Sequence, residues 1–247
     1  MLGLPDGIRG CLFDLDGVIT KTAAVHDAAW QEMFDSFLRE RSRQTGEPFV
    51  PFDPVADYEK FVDGKPRADG ARSFLQSRGI NLPEGDPEDP PGTPTVHGLS
   101  NRKNEILLRQ IRTDGVEVYP GSVRYARAVR DAGLRRAVVS SSANTHDVLA
   151  AAQVEDLFEA VIDGLVAERE HLRGKPAPDT FLAGARALGL APREAAVFED
   201  ALAGVAGGRA GRFGFVVGVD RLGQAGALCE HGADVVVSDL AELPEHP

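Results

Sequence analysis

The chain is poor in cysteine, in long apolar runs and in positive charge, and each shortage removes a class of function. Among 247 residues there are two cysteines. Cys11 and Cys229 stand alone, without metal-like spacing, so both are expected to be reduced packing residues rather than a disulfide or a thiolate site. No uninterrupted apolar run approaches membrane-spanning length, and no membrane partner is expected. Met1 to Gly7 has no basic segment leading into an apolar stretch, so no secretory signal is read and a cytoplasmic location is the expectation. Lys and Arg number 27 against 38 Asp and Glu, a net charge of −11. Binding a phosphate backbone needs a basic surface, so nucleic acid is not an expected partner. A small anionic substrate remains open, because a metal and a few local cations can reverse the potential inside one cleft.

What is present is a strand that runs into acid. Cys11, Leu12 and Phe13 read as the end of a buried strand, followed at once by Asp14-Leu15-Asp16-Gly17. In an extended chain Asp14 and Asp16 point the same way, and Gly17 permits a sharp turn directly after them. Taken alone, this is a divalent-cation site or simply an acidic turn. Helical spacing follows from Ala23 to about Thr45-Gly46, then a proline-rich connection, a short helix over 55–62, helices over 68–77 and 100–111, and an exposed Pro/Gly/acid loop over 79–98. From Tyr119 strands and helices alternate. Strands are predicted over 135–141, 160–162, 195–198, 213–219 and 234–237, with helices over 122–132, 144–152, 179–188 and 201–210. That rhythm predicts an α/β fold: a doubly wound parallel sheet with helices on both faces, interrupted after its first strand by a helical insertion. The expected division is a core of residues 1–24 and 119–247 and an inserted domain of residues 25–118, placed to act as a lid.

Residues just past the later strands test the acidic turn. After 135–139 come Ser140-Ser141-Ser142-Ala143-Asn144, an anion cradle or plain helix capping. The third strand is followed by Gly174-Lys175-Pro176, whose lysine can hold a phosphoryl oxygen or merely be solvated. The fourth ends in Glu199-Asp200, a second acid pair or an acidic helix start. In a parallel sheet all four arrive at one edge. Together they supply oxygen ligands for a hard cation such as Mg²⁺, a nucleophile and anion donors, the parts that phosphoryl transfer requires.

Asp14-Leu-Asp-Gly-Val-Ile-Thr20, Ser140, Lys175-Pro176 and Glu199-Asp200 resemble the four motifs of the haloacid dehalogenase superfamily, and the insertion resembles its small α-helical cap. Val139-Ser-Ser-Ser-Ala-Asn144, Asn101-Arg-Lys-Asn104, and Thr22 with His26 are similar to the β-phosphoglucomutase-like group. The resemblance implies that Asp14 is the nucleophile that becomes a phospho-aspartate and Asp16 the general acid/base. It implies that Mg²⁺ is held by Asp14, the backbone carbonyl of Asp16, Glu199 and Asp200. Ser140, Ser141 and Lys175 would bind the transferring phosphoryl group, and Ser142 and Asn144 the substrate. In the cap, Thr22, His26, Gly64, Arg67 and Lys103 would be substrate-binding, Arg67 on a distal phosphate, Lys103 near the sugar and His26 near the hinge or the acid/base. Two positions depart from the group: Lys21 stands where an acid is more usual, and Asp63 where a lysine is.

The function so implied is a phosphomutase converting β-glucose 1-phosphate to glucose 6-phosphate through the 1,6-bisphosphate. A sugar-phosphate phosphatase using the same Asp14 and Asp16 is the alternative, and an inactive binding module a remote one. The expected partner is a small phosphorylated sugar; the chain is expected to be a monomer without an obligate protein partner.

Overall fold

A computed structural model describes residues 2–63 and 65–245, so Gly64 lies outside the described residues. The chain forms two compact units, one of Met1–Lys21 with Val116–Pro247 and one of Thr22–Gly115. The division falls slightly ahead of positions 24 and 118, for a local reason. α1 starts at Ala23, which places 22–24 with the second unit, while Lys21 N donates to the carbonyl of Glu117 and Thr20 pairs with Val118, which ties 116–118 to the first.

In that unit β1 (Gly10–Phe13), β2 (Arg135–Val139), β3 (Ala160–Ile162), β4 (Ala195–Glu199), β5 (Phe215–Val219) and β6 (Val235–Val237) form one parallel sheet in the order β3-β2-β1-β4-β5-β6. Such a sheet is covered on both faces, and accordingly every residue of β1 and β4 is buried. Leu12, Val139 and Val197 pack with Phe181, Leu188 and Val205 in one core cluster. The intervening Phe13 and Phe198 stack at 4.5 Å, with Tyr125 against Phe198 at 5.5 Å. The order of connection reverses at β1, which lies between β2 and β4; this is the switch point where open α/β sheets bind ligands.

The strand ends differ in detail from the sequence pattern. β4 extends to Glu199, which stays in register with Gly218, while β2 stops at Val139 and Ser140 turns away after one last bond to the Ile162 carbonyl. A short helix over Gly164–Arg169, capped by Asp163 onto Val166 N, has no counterpart in the expectation. Cys11 is buried, but Cys229 is exposed: its six-residue helix Ala225–Glu230 buries Leu228 instead. Cys229 is therefore not the packing residue expected.

The second unit contains α1 (Ala23–Thr45), α2 (Arg67–Ser77) and α3 (Val96–Asp114). Its centre is aromatic. Phe34 lies 4.1 Å from Phe74, 5.3 Å from Phe52 and 5.2 Å from Trp30, ring to ring. α3 begins at Val96 rather than 100 because Thr95 caps Gly98 N and Val96 and Leu99 are buried. The loop expected over 79–98 is mostly exposed, yet its backbone is held. Asn101 Nδ2 donates to the carbonyls of Pro87 and Asp89, both at 2.9 Å, and Arg72 pairs with Glu84. Among the described residues no helix is long and apolar enough to cross a membrane.

Truncating the centre of the aromatic cluster leaves a cavity that flanking rings fill only in part. Phe34→Ala is expected to cost about 3–5 kcal/mol. The sole tryptophan, Trp30, stacks on Phe34, so urea unfolding followed by its fluorescence measures the loss.

Candidate active site

The site begins where three buried charges meet. Asp14 follows β1, and its N–H donates to the Phe198 carbonyl of β4 at 2.9 Å, which fixes the carboxylate beside the end of that strand. Lys175 Nζ donates to Asp14 Oδ1 at 2.5 Å, to Glu199 Oε1 at 2.5 Å and to the Val139 carbonyl at 3.3 Å, and it sits 5.0 Å from the Phe181 ring centre. Lys175 is 5% exposed, Asp14 7% and Glu199 0%. The solvated lysine left open by the sequence is thus a buried counter-ion. Unpaired, any of these charges would be strongly disfavoured in such surroundings.

A third acid joins them. Carboxylate oxygens of Asp14, Glu199 and Asp200 lie within 4.8 Å of one another, and the Lys175 ammonium contacts the first two. Burial pushes the Asp14 carboxyl up, Lys175 opposes this, and Glu199 and Asp16 add to the rise. Burial works against the charge of Lys175 too, but Asp14 and Glu199 outweigh it and hold its pKa above the ordinary lysine value. Hard oxygen donors clustered in this way suit a small divalent metal. The acidic-turn and helix-start readings therefore give way to a cluster able to hold one. The Asp16 carboxylate is outside that set; its expected contribution is through its backbone carbonyl.

Two glycines make room for the acids. A Cβ on Gly204 would fall 1.8 Å from Glu199 Oε1, and one on Gly17 would fall 1.8 Å from Asp200 Oδ2. Gly17 has φ of +85°, so it both turns the chain after Asp16 and lets Asp200 approach. The turn is closed by Gly17 N donating to the Thr20 carbonyl at 2.8 Å and by the Asp16–Thr20 pairing.

At the end of β2, Ser140 is buried, and its Oγ accepts from Ser142 N at 3.1 Å. Ser142 Oγ in turn accepts from Asn144 N at 3.1 Å. Asn144 precedes the helix Thr145–Ala151 without a side-chain cap bond, so the capping role left open for it is not used. These bonds coil 140–144 into a tight turn whose first residue lies one strand over from Asp14. Ser141 is carried by the same turn, and a Cβ at Gly164 would meet its carbonyl at 2.8 Å.

The second unit gathers its own polar set. Thr22 is buried and its carbonyl accepts from His26 N at 2.8 Å. Lys103, 3% exposed, places Nζ 3.0 Å from His26 Nδ1 and 5.1 Å from the Trp30 ring centre. Arg67 opens α2 and contacts Asn101 Oδ1 at 3.4 Å. Lys65 does not replace the cation missing at Asp63: its Nζ is spent on the Phe61 carbonyl at 2.9 Å and Ser73 Oγ at 3.1 Å. An acid of this unit escaped the sequence reading. Asp27 has its pKa pushed up to about 7, first by burial, then by Asp63 and Glu59, against the pull of Lys103. Its signal was an acid next to His26, just past the first turn of α1.

Comparison with known proteins follows the same lines. A sequence profile described as haloacid dehalogenase-like hydrolase matches residues 8–212. The chain is 58% identical over 246 residues to a β-phosphoglucomutase of Mycobacterium tuberculosis, covering 98% of this chain and 94% of that protein. It is 37% identical to part of an uncharacterized glycosyl hydrolase of the same species, covering 93% of this chain but 17% of that protein. The crystal structure of β-phosphoglucomutase from Clostridium difficile superposes with a TM-score of 0.75 at 24% identity, covering 96% of this chain and 93% of that one, a likeness of fold.

The raised Asp27 pKa has a stability consequence with a definite sign. Its folded value, about 7, exceeds the ordinary 3.8, so ionisation is resisted by the folded chain, and stability is lost as pH climbs from about 4 to about 7. Asp27→Asn removes that dependence. The gain in unfolding temperature should be a few degrees at pH 8, smaller at pH 5, and level above pH 7; a gain independent of pH would contradict the assignment.

Proposed function

The chain belongs to the haloacid dehalogenase-like hydrolases, and from that premise we propose that it is a β-phosphoglucomutase, interconverting β-glucose 1-phosphate and glucose 6-phosphate through a phospho-aspartate. The observation that carries this is 58% identity along 98% of the chain to a protein of that activity. The Asp14–Lys175–Glu199 arrangement supports the chemistry.

In this reading Asp14 is the nucleophile. Its Oδ1 is fixed by Lys175, so the carboxylate is held in one orientation before substrate arrives, and the entropy of aligning it is already spent. Asp16 protonates the departing sugar oxygen, and takes a proton from the hydroxyl that later receives the phosphoryl group. Ser140, the turn at 141–144 and Lys175 hold the transferring phosphoryl oxygens. Asp14, Glu199, Asp200 and the carbonyl of Asp16 hold Mg²⁺, which when bound offsets the charge on those oxygens. Thr22, His26, Gly64, Arg67 and Lys103 are the proposed sugar and distal-phosphate contacts, with Ser142 and Asn144. An acid at position 63 favours reading a sugar hydroxyl there rather than a phosphate. The protein works as a monomer on a small phosphorylated sugar in the cytoplasm, a setting that suits two unpaired cysteines. Similarity to 17% of a protein named as an uncharacterized glycosyl hydrolase fits a sugar phosphate derived from a glycoside.

A coupled assay for glucose 6-phosphate, started with a trace of 1,6-bisphosphate, should show turnover that chelation abolishes and Mg²⁺ restores. Parallel measurement of inorganic phosphate decides the class: phosphate released in step with substrate loss makes the protein a phosphatase. Asp14→Asn is expected to eliminate both activities, and Asp16→Ala to lower kcat by about 10²–10⁴-fold.

A further inference from the structure

The fifth strand also delivers residues to this edge. β5 ends at Val219, and Asp220 Oδ1 accepts from Leu222 N at 3.2 Å and Gln224 N at 2.8 Å, which coils residues 220–224 into a self-capped turn. Two side chains of that turn reach the acid-bearing loops. Gln224 Nε2 contacts the Asp200 carbonyl at 3.4 Å, and Arg221 Nε donates to the Gly17 carbonyl at 2.7 Å. Arg221 Nη1 donates to the Ser238 carbonyl at 2.6 Å, and its guanidinium carbon lies 3.5 Å from the centre of the Tyr119 ring. Tyr119 N in turn donates to the Ile19 carbonyl at 2.9 Å.

A guanidinium bonded through Nε and Nη1 to two backbone carbonyls and laid on a ring face fixes positions, although its Nη2 is buried without a hydrogen-bond partner among the described residues; its planar fork sets their direction as well as their distance. What it fixes matters here. Gly17 is the residue directly after Asp16, held at its N–H by Thr20 and at its carbonyl by Arg221, in a left-handed conformation that glycine leaves free. With both peptide groups of Gly17 tied, the preceding residue has little freedom to swing.

We infer that Arg221 is a positioning residue for Asp16, acting through the Gly17 carbonyl to hold the acid/base in line with the departing and incoming sugar oxygens. The inference rests on the phospho-aspartate reading. It predicts a selective defect: steps that need a proton from Asp16 suffer, and steps that do not are spared.

Acetyl phosphate separates the two. Asp14 attacks its phosphorus, a new P–O bond forms to the carboxylate, and the bond to acetate breaks with its electron pair leaving on acetate, which needs no proton. Arg221→Met should lower kcat for β-glucose 1-phosphate by about 10–100-fold while KM and the rate of Asp14 labelling by acetyl phosphate stay within about twofold of the unsubstituted protein. Arg221→Lys, which can reach one carbonyl but not both, should show a smaller loss with the same selectivity, and keeps the test decisive if the methionine variant folds poorly. Equal losses in labelling and turnover, or no loss in either, would overturn the inference. Failure of acetyl phosphate to label the unsubstituted protein would instead strike the phospho-aspartate reading itself, and the inference with it.

Discussion

One buried contact organises the first unit: the Lys175 ammonium held between Asp14 and Glu199. Its three members come from the residue after β1, from the end of β4 and from the loop between the helices Gly164–Arg169 and Asp179–Ala187, so the contact can form only when the central strands are paired in register. Removing the lysine would leave two buried carboxylates without this counter-ion, a far larger penalty than losing a surface pair. The glycines at 17 and 204 are the steric counterpart of the same constraint. The acids approach so closely that no side chain fits beside them.

The gathering of a third carboxylate is what turns this contact into a site. Asp200 brings its oxygens within 4.8 Å of those of Asp14 and Glu199, the two acids that Lys175 joins. The geometry thus stores a preference for a hard cation at a place where a phosphoryl group brings further negative charge. The pinned turn around Gly17 adds precision at Asp16. Fixed dipoles and fixed donors of this kind do the work that solvent reorganisation would otherwise have to do during the reaction.

The helical unit follows another logic. Phe34, Phe52, Phe74 and Trp30 supply its stability, and the same α1 that carries Trp30 and Phe34 carries His26 and Asp27 one turn earlier. Packing of α1 on α3 brings Lys103 to His26, and the electrostatics of Asp63 and Glu59 reach Asp27. Asp27 is therefore tuned by residues of other segments: Asp63, which departs from the group pattern, and Glu59 raise its pKa while Lys103 lowers it.

Much of the fold was legible from local pattern. Alternation of apolar runs with helical periodicity gave the parallel sheet, and reading the residue after each strand gave Asp14, Ser140, Lys175, Glu199 and Asp200, because a parallel sheet sends every strand end to one edge. What the pattern could not decide was environment. Lys175 could be read as solvated because burial is a property of the assembled sheet and not of Gly-Lys-Pro. Cys229 read as a packing residue because nothing in a six-residue helix says which side faces inward. Asp27 and Arg221 escaped for the same reason: one acquires its pKa from neighbours on other segments, the other its role from a carbonyl of Gly17, far away in the chain. Sequence by itself determined which groups are available and where along the strands they stand. Tertiary structure decided which of them lose their water, since desolvation and close charge depend on the distances that only packing sets.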